Sequence, residues 1–201
     1  MKAPDSQIAV TLYNLREFCK TESDLDRTLD KVCAIGYQAV QVSGVQLDPK
    51  VIKKQLDKHN LFCCATHEGQ AALTAEDLSP VIDKLQTLEC DFTALGCPTA
   101  PYLNSYTMAC ELADMMMKSG EKLLEHGIRL GYHNHAGEYE NGDDLVWKLL
   151  NLTKDFYAQI DVCWVKAAGI EPTDKMRQYG DRLGCLHIKE LKYPRDRKSV
   201  V

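Results

Sequence analysis

The sequence predicts an α/β protein whose strands are all parallel, and three observations lead to that class. Short apolar runs alternate with longer amphipathic segments along the whole chain of 201 residues. The amphipathic segments are bounded by capping residues, so each is predicted as a helix between two strands. No glycine-rich nucleotide-binding loop follows a strand, which disfavours a doubly wound open sheet. Because parallel neighbours require crossover connections, we expect a β/α barrel.

Seven apolar runs are predicted as strands and six capped segments as helices. The strands lie, in chain order, at residues 8–12, 39–42, 61–66, 92–95, 128–133, 157–162 and 183–188. The helices lie at residues 21–35, 48–59, 79 onwards, 107–126, 143–152 and 172–179.

The helix boundaries rest on local chemistry. In the first helix, apolar residues recur at helical spacing and Gly36 supplies the left-handed end. The second and third helices begin with an acceptor side chain followed by proline, at Asp48-Pro49 and Ser79-Pro80. These capping residues set the boundaries of the helices that separate one strand from the next.

The composition narrows the class of protein. A chain of 201 residues that is 45% apolar can bury one substantial core, so we expect a single domain over residues 1–201. The 24 Lys and Arg against 29 Asp and Glu give a formal charge of -5 without any basic block, which disfavours nucleic-acid binding. The nine cysteines include no CxxC pair, and neither a secretory signal nor an apolar run of ~20 residues occurs. We therefore expect a cytoplasmic protein with no membrane segment.

Polar and ionisable residues gather at the carboxyl ends of the predicted strands. In a β/α barrel these ends and the loops after them meet on one face, where active sites lie. The residues are Tyr13, Arg16, Gln41, Ser43, His67, Glu68, His133, Asn134, His135, Asp161, Trp164, His187, Lys189 and Glu190. Four of the six histidines are in this set, whereas His59 and His126 lie at helix C-termini, where the helix dipole favours an imidazole. That placement predicts a functional site.

Imidazole and carboxylate groups on converging strands are the ligand set of a divalent metal such as manganese, zinc or iron. The candidate ligands are His133, Glu138, Asp161 and His187. In a strand, His133 and His135 share one face, so both are expected to point the same way. A single histidine is better explained as a hydrogen-bonded core or loop residue. The joint pattern favours a site, because clusters of buried ionisable groups are costly to retain.

Three stretches carry a resemblance to the xylose-isomerase-like barrels, a family of sugar phosphate isomerases and epimerases that is also grouped with endonuclease IV. They are residues 131–138 (GYHNHAGE), residues 161–164 (DVCW) with 168–172 (AGIEP), and residues 186–190 (LHIKE). The resemblance covers essentially the whole chain and implies a parallel (β/α) barrel of the TIM type. Such barrels need about 250 residues, so the chain is expected to be C-terminally truncated, with seven strands and no eighth βα unit.

The resemblance also implies a ligand set and a pocket. In that family a carboxylate on strand five, an aspartate on strand six, a histidine on strand seven and a glutamate on strand eight hold manganese, zinc, magnesium or iron. Asp161 and His187 match directly, and either His133 or Glu138 takes the strand-five position. The remaining residues with implied or expected substrate contacts are Tyr13, Gln41, His67, Glu68, Trp164 and the cation Lys189.

The function expected from these residues is a metal-dependent sugar isomerase or epimerase, or a related dehydratase or lyase. It would remove a proton next to a carbonyl of a keto or hydroxy sugar, with His135 as first candidate base because imidazole titrates near neutral pH. Glu138 and Lys189 are the other catalytic candidates. One alternative is a truncated, catalytically impaired barrel that binds a sugar or a partner, and a weaker one is an abasic-site endonuclease. The expected partner is a small sugar, and a homodimer is an option for the assembly.

Overall fold

The computed structural model describes residues 8–99, 105–142 and 144–190, and the seven predicted strands all lie in these ranges. The strands are β1 (Ala9–Thr11), β2 (Ala39–Val42), β3 (Phe62–Glu68), β4 (Phe92–Leu95), β5 (Arg129–His133), β6 (Phe156–Asp161) and β7 (Leu183–His187). Each strand overlaps the apolar run that predicts it.

Helices follow every strand but the last in the described part of the chain. The α-helices are α1 (Glu22–Ile35), α2 (Pro49–Lys58), α3 (Gln70–Leu73), α4 (Ser79–Thr87), α5 (Tyr106–Leu124), α6 (Leu145–Leu152), α7 (Val162–Ala167) and α8 (Pro172–Tyr179). Three 3-10 helices cover Leu12–Phe18, Gly137–Gly142 and Gly180–Arg182. All six predicted helices are present, and α3 and α7 are additional. Both are too short to show a helical repeat in the sequence.

Side-chain caps explain most of the helix starts. Thr21 and Asp48 accept the amide hydrogens of Asp24 and Lys50 at 3.1 Å and 2.8 Å at the starts of α1 and α2. Ser105 caps α5, so this helix begins one residue before the predicted Thr107. These local contacts set the phase of each amphipathic helix against its strand.

Residue contacts divide the chain into two compact units. The first unit comprises residues 1–68 and 79–93, and the second comprises residues 69–78 and 94–201. Strand β4 contains the boundary between residues 93 and 94. The expectation of a single domain over residues 1–201 stays a prediction.

In the first unit, β1, β2 and β3 are neighbours in chain order and run parallel. Helix α1 packs on α2, and α2 packs on α4. Leu25 and Leu29 of α1 and Ile52 and Leu56 of α2 are buried in the core. Ion pairs between α1 and α2 border this core, with Asp26 Oδ1 2.6 Å from Lys58 Nζ.

In the second unit, β5, β6 and β7 are parallel neighbours in chain order. Helix α5 packs on β5 and α6, and the core is formed by side chains such as Leu112, Met116, Tyr132, Phe156 and Ile160. Parallel strands bring their carboxyl ends to one edge of the sheet, and β5, β6 and β7 end in His133, Asp161 and His187.

Among the described residues, none of the helices combines the length and the apolar character that a membrane span requires.

Candidate functional site

A register irregularity aligns two of the predicted site residues in the second unit. The β6–β7 pairing runs from Ala158 with Leu183 to Asp161 with His187, and it shifts by one residue between Ala158 and Gln159. Without that shift Asp161 would pair with Leu186, whose side chain points to the opposite face of the strand. The irregularity therefore places the His187 side chain on the same face as Asp161.

Asp161 is the central residue of the site. It is fully buried, at 0% exposure, and it forms the N-cap of α7. Its Oδ1 atom accepts the amide hydrogens of Cys163 at 3.1 Å and Trp164 at 3.2 Å. With Oδ1 occupied by the helix start, Oδ2 is the oxygen that faces the other side chains.

Three side chains with basic groups surround Asp161 Oδ2. His133 Nε2 and His187 Nδ1 each lie 3.8 Å from it, which is longer than a hydrogen bond. Lys189 Nζ lies 2.5 Å from it. Among the described residues, none donates a hydrogen bond of standard geometry to this oxygen. The Lys189 contact is accordingly an ion pair without hydrogen-bond alignment.

Asn134 fixes the backbone of this site, although the sequence assigned it no role. Its Oδ1 accepts the amide hydrogen of Asp161 at 2.9 Å, and its Nδ2 donates to the Asp161 carbonyl at 3.5 Å. Asn134 is 1% exposed, so these bonds are shielded from water. The side chain extends the pairing of β5 and β6 beyond the end of the ladder. The only sequence signal was its position between two strand-end histidines.

Glu138 forms a separate pair with His135. Its Oε2 accepts the His135 amide hydrogen at 2.9 Å, and its Oε1 lies 3.7 Å from His135 Nδ1. Tyr132 OH donates to Oε1 at 2.9 Å. Burial and the adjacent Glu138 carboxylate raise the pKa of Tyr132 well above its usual value, so the phenol stays protonated as a donor. Nothing in the sequence pointed to this role of Tyr132.

The segment that carries Glu138 is anchored to α6 and α8. Asp144, the N-cap of α6, lies 2.6 Å from Lys175 Nζ and accepts from Tyr179 OH at 3.1 Å. Tyr179 OH in turn contacts Tyr139 OH at 3.2 Å, next to Glu138 in sequence. Burial is the main cause of the raised pKa values of both tyrosines. This hydrogen-bonded cluster holds the 3-10 helix in place.

Contacts between aromatic rings connect the groups around Asp161 with the pair of His135 and Glu138. The His133 centroid is 4.6 Å from His187 and 4.9 Å from His135, and His135 is 5.7 Å from Trp164. Contacts thus link seven of the predicted site residues within the second unit: His133, His135, Glu138, Asp161, Trp164, His187 and Lys189.

The first unit holds the other four predicted site residues: Tyr13, Gln41, His67 and Glu68. Glu68, at the end of β3, lies 2.7 Å from Lys84 Nζ, and Thr66 Oγ1 donates to it at 3.2 Å. Gln41 Nε2 donates to Ser43 Oγ at 2.9 Å. His67 is half-buried in β3.

Tyr13 lies in the 3-10 helix after β1 and is 48% exposed. The Arg16 guanidinium lies over its ring, 4.2 Å from the centroid, and donates to the Tyr13 carbonyl at 2.7 Å. Gly44 contacts the same ring closely, since a Cβ there would come within 2.8 Å of Tyr13 Cδ2. Glycine at this position allows the aromatic ring to lie against the backbone.

The donor set around Asp161 fits a divalent transition metal. A first-row ion held at about 2.1 Å by each ligand separates neighbouring donor atoms by about 3.0–3.5 Å. The 3.8 Å distances from Asp161 Oδ2 to His133 and His187 are close to that separation, and the ring nitrogens lie within 4.8 Å of each other. One buried carboxylate oxygen and two imidazole nitrogens suit manganese, iron or zinc.

Comparisons with known protein sequences find distant relatives of this chain. No family model matches it. It is similar to inosose dehydratases from Clostridium beijerinckii (20% identity over 194 residues, 85% of this chain and 65% of the relative) and Geobacillus kaustophilus (20% over 203 residues, 84% and 62%). The chain therefore spans slightly less than two thirds of the length of these curated relatives.

Solved structures match almost the whole chain. A sugar phosphate isomerase/epimerase from Parabacteroides distasonis gives a TM-score of 0.76 at 19% identity, covering 94% of this chain and 77% of that one. D-allulose 3-epimerase from Methylomonas sp. gives 0.70 at 15%, covering 92% and 72%. An AP endonuclease of family 2 from Brucella melitensis gives 0.69 at 14%, covering 92% and 84%. These likenesses show the fold, and with the seven strands of the described residues they confirm the predicted incomplete parallel (β/α) barrel of the TIM type.

Proposed function

We propose that this chain, which has the xylose-isomerase-like barrel fold, is a metal-dependent enzyme that moves a proton next to a carbonyl of a small keto or hydroxy sugar. One observation carries the proposal. Two imidazole nitrogens, of His133 and His187, face the same oxygen of a fully buried carboxylate at 3.8 Å. A buried carboxylate and two imidazoles are costly to keep together unless they serve a ligand.

In this proposal Asp161, His133 and His187 hold the ion. When bound, the ion would act as a Lewis acid and polarise a sugar carbonyl. The contacts favour His133 over Glu138 as the ligand from β5, since both Glu138 oxygens are engaged by Tyr132 and His135. Asn134 keeps the Asp161 backbone in register with β5 and thereby keeps the donors in position.

His135 is the proposed base. Its side chain is 34% exposed, so it is accessible to a substrate. The Glu138 carboxylate beside Nδ1 would hold the ring orientation and stabilise the imidazolium after the proton is taken. Return of the proton by His135 to the same face of the same carbon gives exchange without net reaction. Its return to the neighbouring carbon gives isomerisation when a hydroxyl proton also moves between the two oxygens. Trp164, whose ring lies beside that of His135, forms a wall that excludes water.

The reaction type is proposed only as a class. Isomerisation, epimerisation and dehydration of keto sugars all begin with removal of the proton beside the carbonyl, and the relatives' names include epimerases and dehydratases. Tyr13, Gln41, His67 and Glu68 are proposed as substrate contacts from their positions at strand ends. The acidic formal charge of -5 argues against the endonuclease alternative.

The alternative of a sugar-binding barrel without turnover is favoured by one observation, the Lys189 ammonium that already neutralises Asp161. A deuterium-exchange experiment separates the two functions. Purified chain, loaded with Mn²⁺, is incubated in D₂O with ketohexoses and inososes, and NMR follows the C–H beside the carbonyl.

The proposal predicts exchange in the Mn²⁺-loaded wild type and none in His187→Ala. His126→Ala is the matched control, because this exposed histidine lies after α5 and outside the site. Sugar binding without exchange would support the non-catalytic alternative. The absence of both sugar binding and exchange would overturn the proposed function.

A further inference from the structure

We propose that Lys189 is an internal counter-cation that occupies the charge position of the metal at Asp161 and is displaced when a divalent ion binds. The inference rests on the proposed function, because it concerns the same carboxylate. It adds an exchange of one cation for another, in which metal binding frees an ammonium group at the edge of the site.

The first support is that both cations need the same atom. Asp161 Oδ1 is occupied by the amide hydrogens of Cys163 and Trp164 at the start of α7. Oδ2 is the oxygen left for a cation, and Lys189 Nζ lies 2.5 Å from it. A divalent ion held by Asp161, His133 and His187 would therefore lie close to the ammonium, and like charges repel strongly in a buried site.

The second support is the geometry of the ion pair. Although Lys189 Nζ is close to Oδ2, within the described chain this oxygen accepts no hydrogen bond of standard alignment. A buried carboxylate that keeps its ammonium permanently is expected to have aligned hydrogen bonds as well. The Lys189 contact supplies charge without that alignment, as expected of a group that can be replaced.

The third support is that Lys189 can leave at little structural cost. Asp161 is fully buried, but the Lys189 side chain is 28% exposed and lies after the last residue of β7. Its long stem can rotate towards water while His187 stays in the strand. In the chain without metal the ammonium would compensate the charge of Asp161, since an uncompensated buried carboxylate is strongly destabilising.

Reciprocity follows from this competition. If Lys189 and the metal compete for Asp161, removing the ammonium must strengthen metal binding, and the metal must weaken the hold on Lys189. A lysine that only stabilised the fold or contacted a sugar would leave metal affinity unchanged or reduce it. The sign of the change in affinity therefore distinguishes the roles.

The test measures Mn²⁺ binding directly, with free Mn²⁺ quantified by electron paramagnetic resonance. Wild type, Lys189→Met, Lys189→Gln and Lys189→Arg are compared with the control Lys166→Met. Lys166 is a fair control because it forms a 3.0 Å ion pair with Glu171 on the exposed surface of the same unit. We expect at least tenfold tighter Mn²⁺ binding in the Met and Gln variants, and wild-type affinity in the Arg variant and the control.

Thermal unfolding provides a second readout. Without metal, Lys189→Met and Lys189→Gln should unfold at a lower temperature than wild type, and added Mn²⁺ should raise their Tm by more than it raises that of wild type. Unchanged or weaker Mn²⁺ binding in both variants, with a wild type that binds, overturns the Lys189 inference and leaves the proposed function standing. Absence of Mn²⁺ binding in the wild type and all variants overturns both.

Discussion

The two units both end their strands in polar side chains, but the contacts of those side chains differ. In the first unit, Glu68 has an ion pair with Lys84, and Gln41 bonds to Ser43. In the second unit, Asp161 is more deeply buried, and two imidazoles stop 3.8 Å from its oxygen. The polar groups of the first kind contact each other directly. Those of the second kind leave the spacing that the proposed metal ion requires.

The largest difference is expected between Asp161→Ala and Glu68→Ala. Asp161→Ala should abolish Mn²⁺ binding and cost about 2–3 kcal/mol of unfolding free energy, from the lost cap of α7 and the charge left on Lys189. Glu68→Ala should cost about 1 kcal/mol or less, because its ion pair with Lys84 is partly exposed. Urea unfolding and metal analysis measure both, and equal losses would remove the distinction between the units.

The next prediction separates the base from the metal ligands. His135→Ala should keep its Mn²⁺ and lose about 10²–10⁴-fold in the rate of C–H exchange. Glu138→Gln should also keep its metal and lose about 10–100-fold, since it acts through His135. Metal analysis and NMR exchange rates measure the pair. Loss of metal in Glu138→Gln would instead make Glu138 the ligand from β5.

Asn134 tests how the backbone of the second unit is held. Asn134→Ala leaves the buried amide of Asp161 without its acceptor and should cost about 1–3 kcal/mol of unfolding free energy. Asn151→Ala is the control, since the exposed Asn151 only donates to the Trp147 carbonyl of its own helix. The unfolding free energy of Asn151→Ala should stay within about 0.5 kcal/mol of the wild-type value. Similar values in urea unfolding would show that Asn134 has no special role.

Substitution of Gly44 tests the backbone of the first unit in the same way. Its φ of +71° and the 2.8 Å approach to Tyr13 predict a cost of about 1–2 kcal/mol for Gly44→Ala. Gly69→Ala is the control, because its φ is -75° and a Cβ there meets nothing within 4 Å. Thermal unfolding of the two variants should differ accordingly, and an equally stable Gly44→Ala would show that the Tyr13 ring moves freely.

The smallest effect concerns the surface of the first unit. Hydrogen bonds from Lys58 and His59 hold the pKa of Asp26 below its usual value of 3.8. A carboxyl with a lowered folded-state pKa stabilises the fold above its unfolded pKa, and this contribution is lost as the pH falls through the folded value. Asp26→Asn should therefore be less stable than wild type at pH 7, with a difference that shrinks below about pH 3.8. A pH-independent difference in Tm would contradict this assignment.

The fold was predictable because its signals are local. Capping residues such as Asp48, and the apolar runs between them, depend only on neighbouring residues, and all seven strands occur where those runs predict them. Helix α7 was not predictable, because its six residues start from the capping carboxylate of Asp161 rather than from a periodic pattern. The prediction of His133, Asp161 and His187 as a cluster rested on strand ends, and the contacts bring them together.

What the sequence could not supply is geometry set by tertiary packing. The one-residue shift between β6 and β7, which aligns His187 with Asp161, follows no sequence rule. The sequence left Glu138 open between metal ligand and catalytic residue, and the contacts with Tyr132 and the His135 amide favour the proposed role beside His135. Division into two compact units likewise depends on contacts between residues far apart in the chain.

The most direct test of the central claim is anomalous diffraction from crystals grown with Mn²⁺. We predict one strong peak about 2.0–2.3 Å from Asp161 Oδ2 and from a ring nitrogen of each of His133 and His187, with Lys189 Nζ turned away. A peak on Glu138 instead, or no peak near Asp161 in a fully folded chain, would contradict it.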